Sequence, residues 1–80
     1  MTHMAGCYWW NATHGTFRIV FDGRKWGVWF NDDCLGAYDE LMTAFEDLLG
    51  GHTTWPAQGN PSTMGLPDDL SAWSYSPPMG

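Results

Sequence analysis

The chain reads as an α+β domain: a small antiparallel meander of three to four strands, one amphipathic helix over about 39–50 packed on one face, and an irregular C-terminal strap. Three observations predict this. Residues 16 to 30 alternate apolar and other side chains around Asp22-Gly23, a hairpin turn signal. Residues 39 to 50 place Leu41, Met42, Ala44, Phe45, Leu48 and Leu49 on one side of a helix when projected at 100° per residue, with Asp39, Glu40, Thr43, Glu46 and Asp47 opposite. Residues 52 to 75 are rich in proline and glycine, yet Trp55, Met64, Leu66, Leu70, Trp73 and Tyr75 recur through them, too apolar for a free linker.

In order, Cys7 to Trp10 is short, aromatic and β-prone, a candidate fourth strand before the break at 11–15. A two-residue loop at Asp22-Gly23 pairs Phe21 with Arg24, Ile19 with Trp26 and Phe17 with Val28, and a four-residue loop keeps the same parity. Either way Phe17, Ile19, Phe21, Trp26, Val28 and Phe30 share one face. The polar cluster 31–34 turns the chain into a third strand, Leu35 to Tyr38, with Leu35 and Ala37 expected on that same face. Asp39 is the expected helix N-cap, with Glu40 in the first turn, and Gly50-Gly51 ends the helix. Pro67 is expected to open a short helical turn ending near Ala72, with Leu66, Leu70 and Trp73 inward. The domain is expected to span 1–75 (core 16–50, strap 52–75), with 76–80 a loose tail and Met1 to Met4 carrying no functional weight.

Eighty residues hold one domain, and one of this size buries only ~60% of the surface its unfolded chain exposes. Six tryptophans, four phenylalanines and three tyrosines answer that shortage. No run approaches the ~20 apolar residues of a membrane span, so a cytosolic protein is expected. Cys7 and Cys34 are too few for a disulfide framework.

Chemistry is sparsely signalled. His3, Cys7, His14, Cys34 and His52 lack the close pairs of a structural zinc site, and neither a metal nor a cofactor is expected. No nucleophile elbow or histidine motif marks a hydrolase, and Gly50-Gly51 follows a helix instead of preceding one, so it is a cap and not a phosphate loop. The expectation is a protein that is not an enzyme. Nine acidic residues against Arg18, Arg24 and Lys25 give a net charge of −6, which disfavours direct nucleic-acid binding despite the aromatic surface.

Two surfaces remain. The helix face carries Asp39, Glu40, Glu46 and Asp47 with no cation, and Asp22, Asp32 and Asp33 in turns extend the charge. Solubility explains an acidic face as readily as a partner does. On the other face of the sheet, Val20, Trp29 and Tyr38, joined by Trp9, need a cover: the strap with Trp55, Leu70 and Trp73, a second copy in a homodimer, or a partner gripped by the aromatic residues.

A tiny acidic domain with one helix on a small sheet, surplus interface aromatics and no catalytic signature resembles the small anti-CRISPR proteins of phages and mobile elements. The likeness is of type and not of motif. It implies a non-enzymatic inhibitor in the bacterial cytoplasm that acts as an acidic DNA mimic and occupies the basic target-binding groove of a ribonucleoprotein such as a type I Cascade complex, with type I-C the expected system. Asp39, Glu40, Glu46 and Asp47 would be its first contacts, and Asp22, Asp32 and Asp33 its second. The run strand-turn-strand, Gly36-Ala37-Tyr38, helix, Gly50-Gly51, Trp55-Pro56 and Leu66-Pro67-Asp68-Asp69-Leu70-Ser71-x-Trp73 is also similar to uncharacterised small bacterial proteins, which supports the fold outline alone. The rival expectation is a structural or adaptor domain that self-associates through Trp29 and Tyr38.

Overall fold

The structure is a computed structural model and describes residues 6–76. Five antiparallel strands form one sheet: β1 (Cys7–Ala12), β2 (Gly15–Phe21), β3 (Trp26–Phe30), β4 (Asp33–Tyr38) and β5 (Ser74–Ser76), in the order β4-β3-β2-β1-β5. One helix, α1 (Leu41–Gly50), crosses one face. The expected α+β meander with a helix and a C-terminal strap is therefore present, and the candidate fourth strand is β1. The fifth strand was not anticipated, because Ser-Tyr-Ser carries no strand signal of its own. It forms at the free edge of β1, with Cys7 opposite Ser76, Tyr8 opposite Tyr75 and Trp9 opposite Ser74. Ser76, expected to begin the loose tail, is thus in the sheet; the rest of that tail and Met1 to Met4 lie outside the described residues.

The β2–β3 hairpin takes the four-residue loop. Phe21 pairs with Trp26, Ile19 with Val28 and Phe17 with Phe30, which replaces the register of the two-residue loop and keeps its parity. The cause is local. The Asp22 carboxylate accepts hydrogen bonds from the amides of Arg24 and Lys25 at 2.9 and 2.8 Å, closing a side-chain turn that spans one residue pair more than Asp22-Gly23 alone, and Gly23 supplies the positive φ of 96°.

Strand β4 corrects the expected facing. Val28 is opposite Gly36 while Trp29 is opposite Cys34, so Leu35 is an extra residue in a β-bulge. The bulge shifts the alternation by one beyond Leu35. Leu35 stays buried, Ala37 turns outward opposite Gly27, and Tyr38 turns to the helix side opposite Trp26, where it packs against the core. Tyr38 is therefore not part of the outer aromatic set.

The helix also begins later than expected. Its flanking residue is Glu40, extended at φ −130° and without a side-chain cap, and Asp39 is drawn to Lys25 instead of capping. Gly51 closes the helix in the left-handed region at φ 74°, its amide reaching the carbonyls of Asp47 and Leu48. Ala44, Phe45 and Leu48 are buried, but Met42, counted with the apolar stripe, is half exposed at 51%.

The core comprises Phe17, Ile19, Val28, Phe30, Leu35, Ala44, Phe45, Leu48 and Trp73. Trp73 shows where the strap goes. It packs on Phe45, and Met64, Leu66 and Leu70 pack against the same core, so among the described residues the strap lies on the helix side and is not the cover of the outer sheet face. Trp55 stays 54% exposed, its indole tied to the Gly51 carbonyl. The short helical turn is Leu70–Ala72, capped by the Asp69 carboxylate on the Ser71 amide; Pro67 lies before it and accepts the Trp73 indole N–H at 3.1 Å.

Candidate functional site

The sheet divides the charge. Glu40 and Glu46 are exposed on the helix and Asp47 is half-buried. Asp39 accepts from the Lys25 ammonium at 2.5 Å, the only ion pair among the described residues. Both side chains are exposed, so the pair contributes at most about 1 kcal/mol, yet it removes Asp39 from the free negative charge. Asp47 faces the Tyr38 hydroxyl. Burial first, and then the nearby Asp47 carboxylate, raise the Tyr38 pKa above its ordinary 10.0.

The turn carboxylates separate. Asp33 is opposite Phe30, hence on the helix side, with Asp32 beside it in the hairpin loop. They sit about 14 Å from the Tyr38 end of the sheet, four residue steps along the strand. Asp22 lies on the opposite face, where its two amide partners hold the carboxyl below the usual carboxylate range. Of the seven expected contact residues, Glu46 and Asp47 lie on the helix and Glu40 at its start, Asp33 faces that side with Asp32 next to it in the loop, Asp39 is paired, and Asp22 belongs elsewhere.

The outer face holds what composition did not single out. Strand register sets Trp9 opposite Arg18, Arg18 opposite Trp29 and Trp29 opposite Cys34, a cross-strand row with a cation between two indoles. Trp9 donates to the Ser76 hydroxyl at 3.2 Å, and Arg18 donates to the Asn31 carbonyl at 2.6 Å. The Trp29 indole lies over Gly27, so close that a Cβ there would meet its Nε1 at 2.9 Å. Beside them an open groove of about 420 Å³ has Val20, Gly27 and Ala37 as floor, with Lys25 and Asp22 at one end and Arg18 at the other. The alternation in β2 places Arg18 outward and was the one available signal.

No protein family, curated protein or solved structure matches the chain. Function is therefore argued from these surfaces. Among the described residues no three His, Cys, Asp or Glu side chains gather as metal ligands; His3 lies outside them. Cys7 and Cys34 are free thiols on strands separated by two others, at least about 14 Å apart by strand spacing and beyond disulfide reach. Burial pushes the Cys7 thiol up, and the charge of Arg18 opposes this in part. No helix among the described residues is long and apolar enough to cross a membrane.

Proposed function

We propose that this domain is a non-enzymatic inhibitor that binds a basic, nucleic-acid-handling protein or ribonucleoprotein through its acidic helix side and so excludes the nucleic acid. The observation that carries the reading is the division of charge: Glu40, Glu46 and Asp47 lie on or just before the helix and Asp33 faces its side, with Asp32 next to it in the loop, whereas Arg18 lies across the sheet, Arg24 sits by Asp22 in the β2–β3 hairpin and Lys25 is paired with Asp39. Carboxylates spaced along a helix and a hairpin present negative charge to a cationic groove much as a phosphate backbone does. In the anti-CRISPR resemblance that groove is the target-binding channel of a type I-C Cascade complex.

The test is competition. Purified type I-C Cascade is mixed with labelled target DNA and increasing protein at low and at high salt, and DNA binding is read by gel mobility. Displacement at low salt that fades at high salt, and that weakens in the Glu46→Lys, Asp47→Lys double variant, supports the reading. Displacement indifferent to both salt and charge reversal, or none at all, overturns it.

The self-associating alternative is weakened by the loss of Tyr38 to the core side.

A further inference from the structure

We infer that Trp55 is the anchor of the acidic side of this domain, its indole face taking an arginine side chain of the partner. The inference rests on the inhibitor reading for the sign of the partner's charge and adds the residue that grips it. Of the large apolar side chains left exposed among the described residues, Met42, Trp55 and Tyr75, Trp55 alone is held by a side-chain hydrogen bond. Its indole N–H donates to the Gly51 carbonyl at 2.8 Å, the Thr54 amide before it donates to the Leu35 carbonyl at 3.0 Å, and Thr53 and Pro56 are buried. The ring is therefore held outward from a fixed segment, and a partner that covers it has little left to order. Tryptophans displayed in this way are the usual anchors of an interface.

Charge selects the partner. Glu40 at the start of α1, Asp47 seven residues on and Gly51 four beyond that fall on a single stripe of the helix, and Trp55, tied to Gly51, continues it about one turn past Asp47. At the Glu40 end Lys25 is already bound to Asp39. At the Trp55 end the last turn of α1 holds no basic residue, and its carbonyls are the negative end of the helix dipole. Arg18 is turned to the Asn31 carbonyl and Arg24 sits by Asp22 in the β2–β3 hairpin, so neither answers that charge. His52 has its ring folded over Gly50. A guanidinium suits the combination better than an ammonium, because it is flat enough to stack on the indole while its in-plane N–H donors stay directed at carboxylates.

The probes are the peptide Gly-Arg-Gly-Arg-Gly amide and its neutral counterpart with citrulline in place of arginine, titrated into the full chain and followed by nitrogen-proton correlation spectra with the Trp55 indole as reporter. The arginine peptide is expected to shift that signal and to bind roughly fivefold tighter than the citrulline peptide, the margin of a cation on an exposed ring. Trp55→Leu is expected to weaken the arginine peptide about threefold and Asp47→Asn to narrow the margin, and the wild-type comparison stands even if a variant fails to fold. Trp9→Ala, on the outer face, is expected to leave both affinities unchanged. Equal affinity for the two peptides, or shifts spread over Asp33, Glu40 and Glu46 with the Trp55 signal unmoved, would overturn the anchor and leave the inhibitor reading to its own competition test. A Trp55 signal that moves with arginine alone, in a protein that does not displace DNA from Cascade, keeps the anchor and overturns the inhibitor reading.

Discussion

The ring of Trp73 meets that of Phe45 nearly edge-on, centroids 5.6 Å apart and planes at 82°. This contact joins the end of the strap to the middle of α1. Trp73 is 5% exposed and its indole N–H is satisfied by the Pro67 carbonyl, so it is anchored at both ends. Trp73→Ala is expected to cost about 3 to 5 kcal/mol, a large share of the ~5 to 15 kcal/mol that holds a domain folded. Trp73→Phe keeps ring contact and loses the hydrogen bond, and is expected to fall between. Urea denaturation of both variants checks the order; equal losses would assign the stabilisation to the hydrogen bond.

Lys25 and Asp39 are exposed, and their pairing is screened by salt. Lys25→Ala is expected to lower stability by less than about 1 kcal/mol at low ionic strength, with no difference from wild type at high salt. Because it frees the Asp39 carboxylate, the same variant is expected to retain or strengthen competition with DNA. Denaturation at two salt concentrations and the mobility assay check the two parts.

Tyr38 gives the domain an alkaline limit. Its pKa is raised in the fold, by burial first and by Asp47 second, so the folded state binds the phenolic proton more tightly than the unfolded chain. The stability contributed is complete below the unfolded value near 10.0 and declines as pH climbs through the folded value. The Tyr38 ionisation, followed by ultraviolet difference absorbance, is expected above its ordinary 10.0. In Asp47→Asn that ionisation moves down only part of the way, since burial remains; no movement would remove Asp47 from the cause.

Thr53 is buried with 7% exposure, and its hydroxyl has no hydrogen-bond partner among the described residues. The adjacent Thr54 amide is bonded to the Leu35 carbonyl, which pins the segment against β4. Thr53→Val replaces the unpaired hydroxyl with a methyl of similar size and is expected to raise stability by about 1 kcal/mol. A higher urea midpoint with an unchanged slope checks it, whereas a lower midpoint would place a water on that hydroxyl.

The two thiols are expected to react unequally. Cys34 is exposed, while Cys7 is half-buried with its pKa raised by that burial. A thiol-labelling time course under native conditions should modify Cys34 first. Mild oxidation should give a disulfide-linked dimer on a non-reducing gel that Cys34→Ser abolishes, and no internal bridge.

Much of this fold was legible because local periodicity was strong. The alternation from Phe17 to Phe30 named one face of the sheet, and Ala44, Phe45 and Leu48 recurred at helical spacing, so the helix and its partner face were both readable. Residues 34 to 38 were not, since Cys-Leu-Gly-Ala-Tyr is apolar or small throughout and an inserted bulge leaves no trace in such a run. Part of the candidate site was readable too: the carboxylates of the helix are placed by its 3.6-residue turn. Asp22 and Asp39 were misplaced with them because their partners, the amides of a hairpin turn and Lys25, are chosen by folding.

From the residues alone came the identity of the apolar faces, the anionic side of the helix and the presence of a packed strap, all of them properties a short stretch of chain carries within itself. Tertiary structure alone decided that the strap joins the helix layer, that Tyr38 turns inward, and that Trp9, Arg18 and Trp29 form a row on the face the strap does not take. These depend on which of two sheet faces a distant segment meets, and on a parity change at Leu35. Such choices are settled by competition among long-range contacts, Phe45 with Trp73 above all, for which no local pattern encodes the winner.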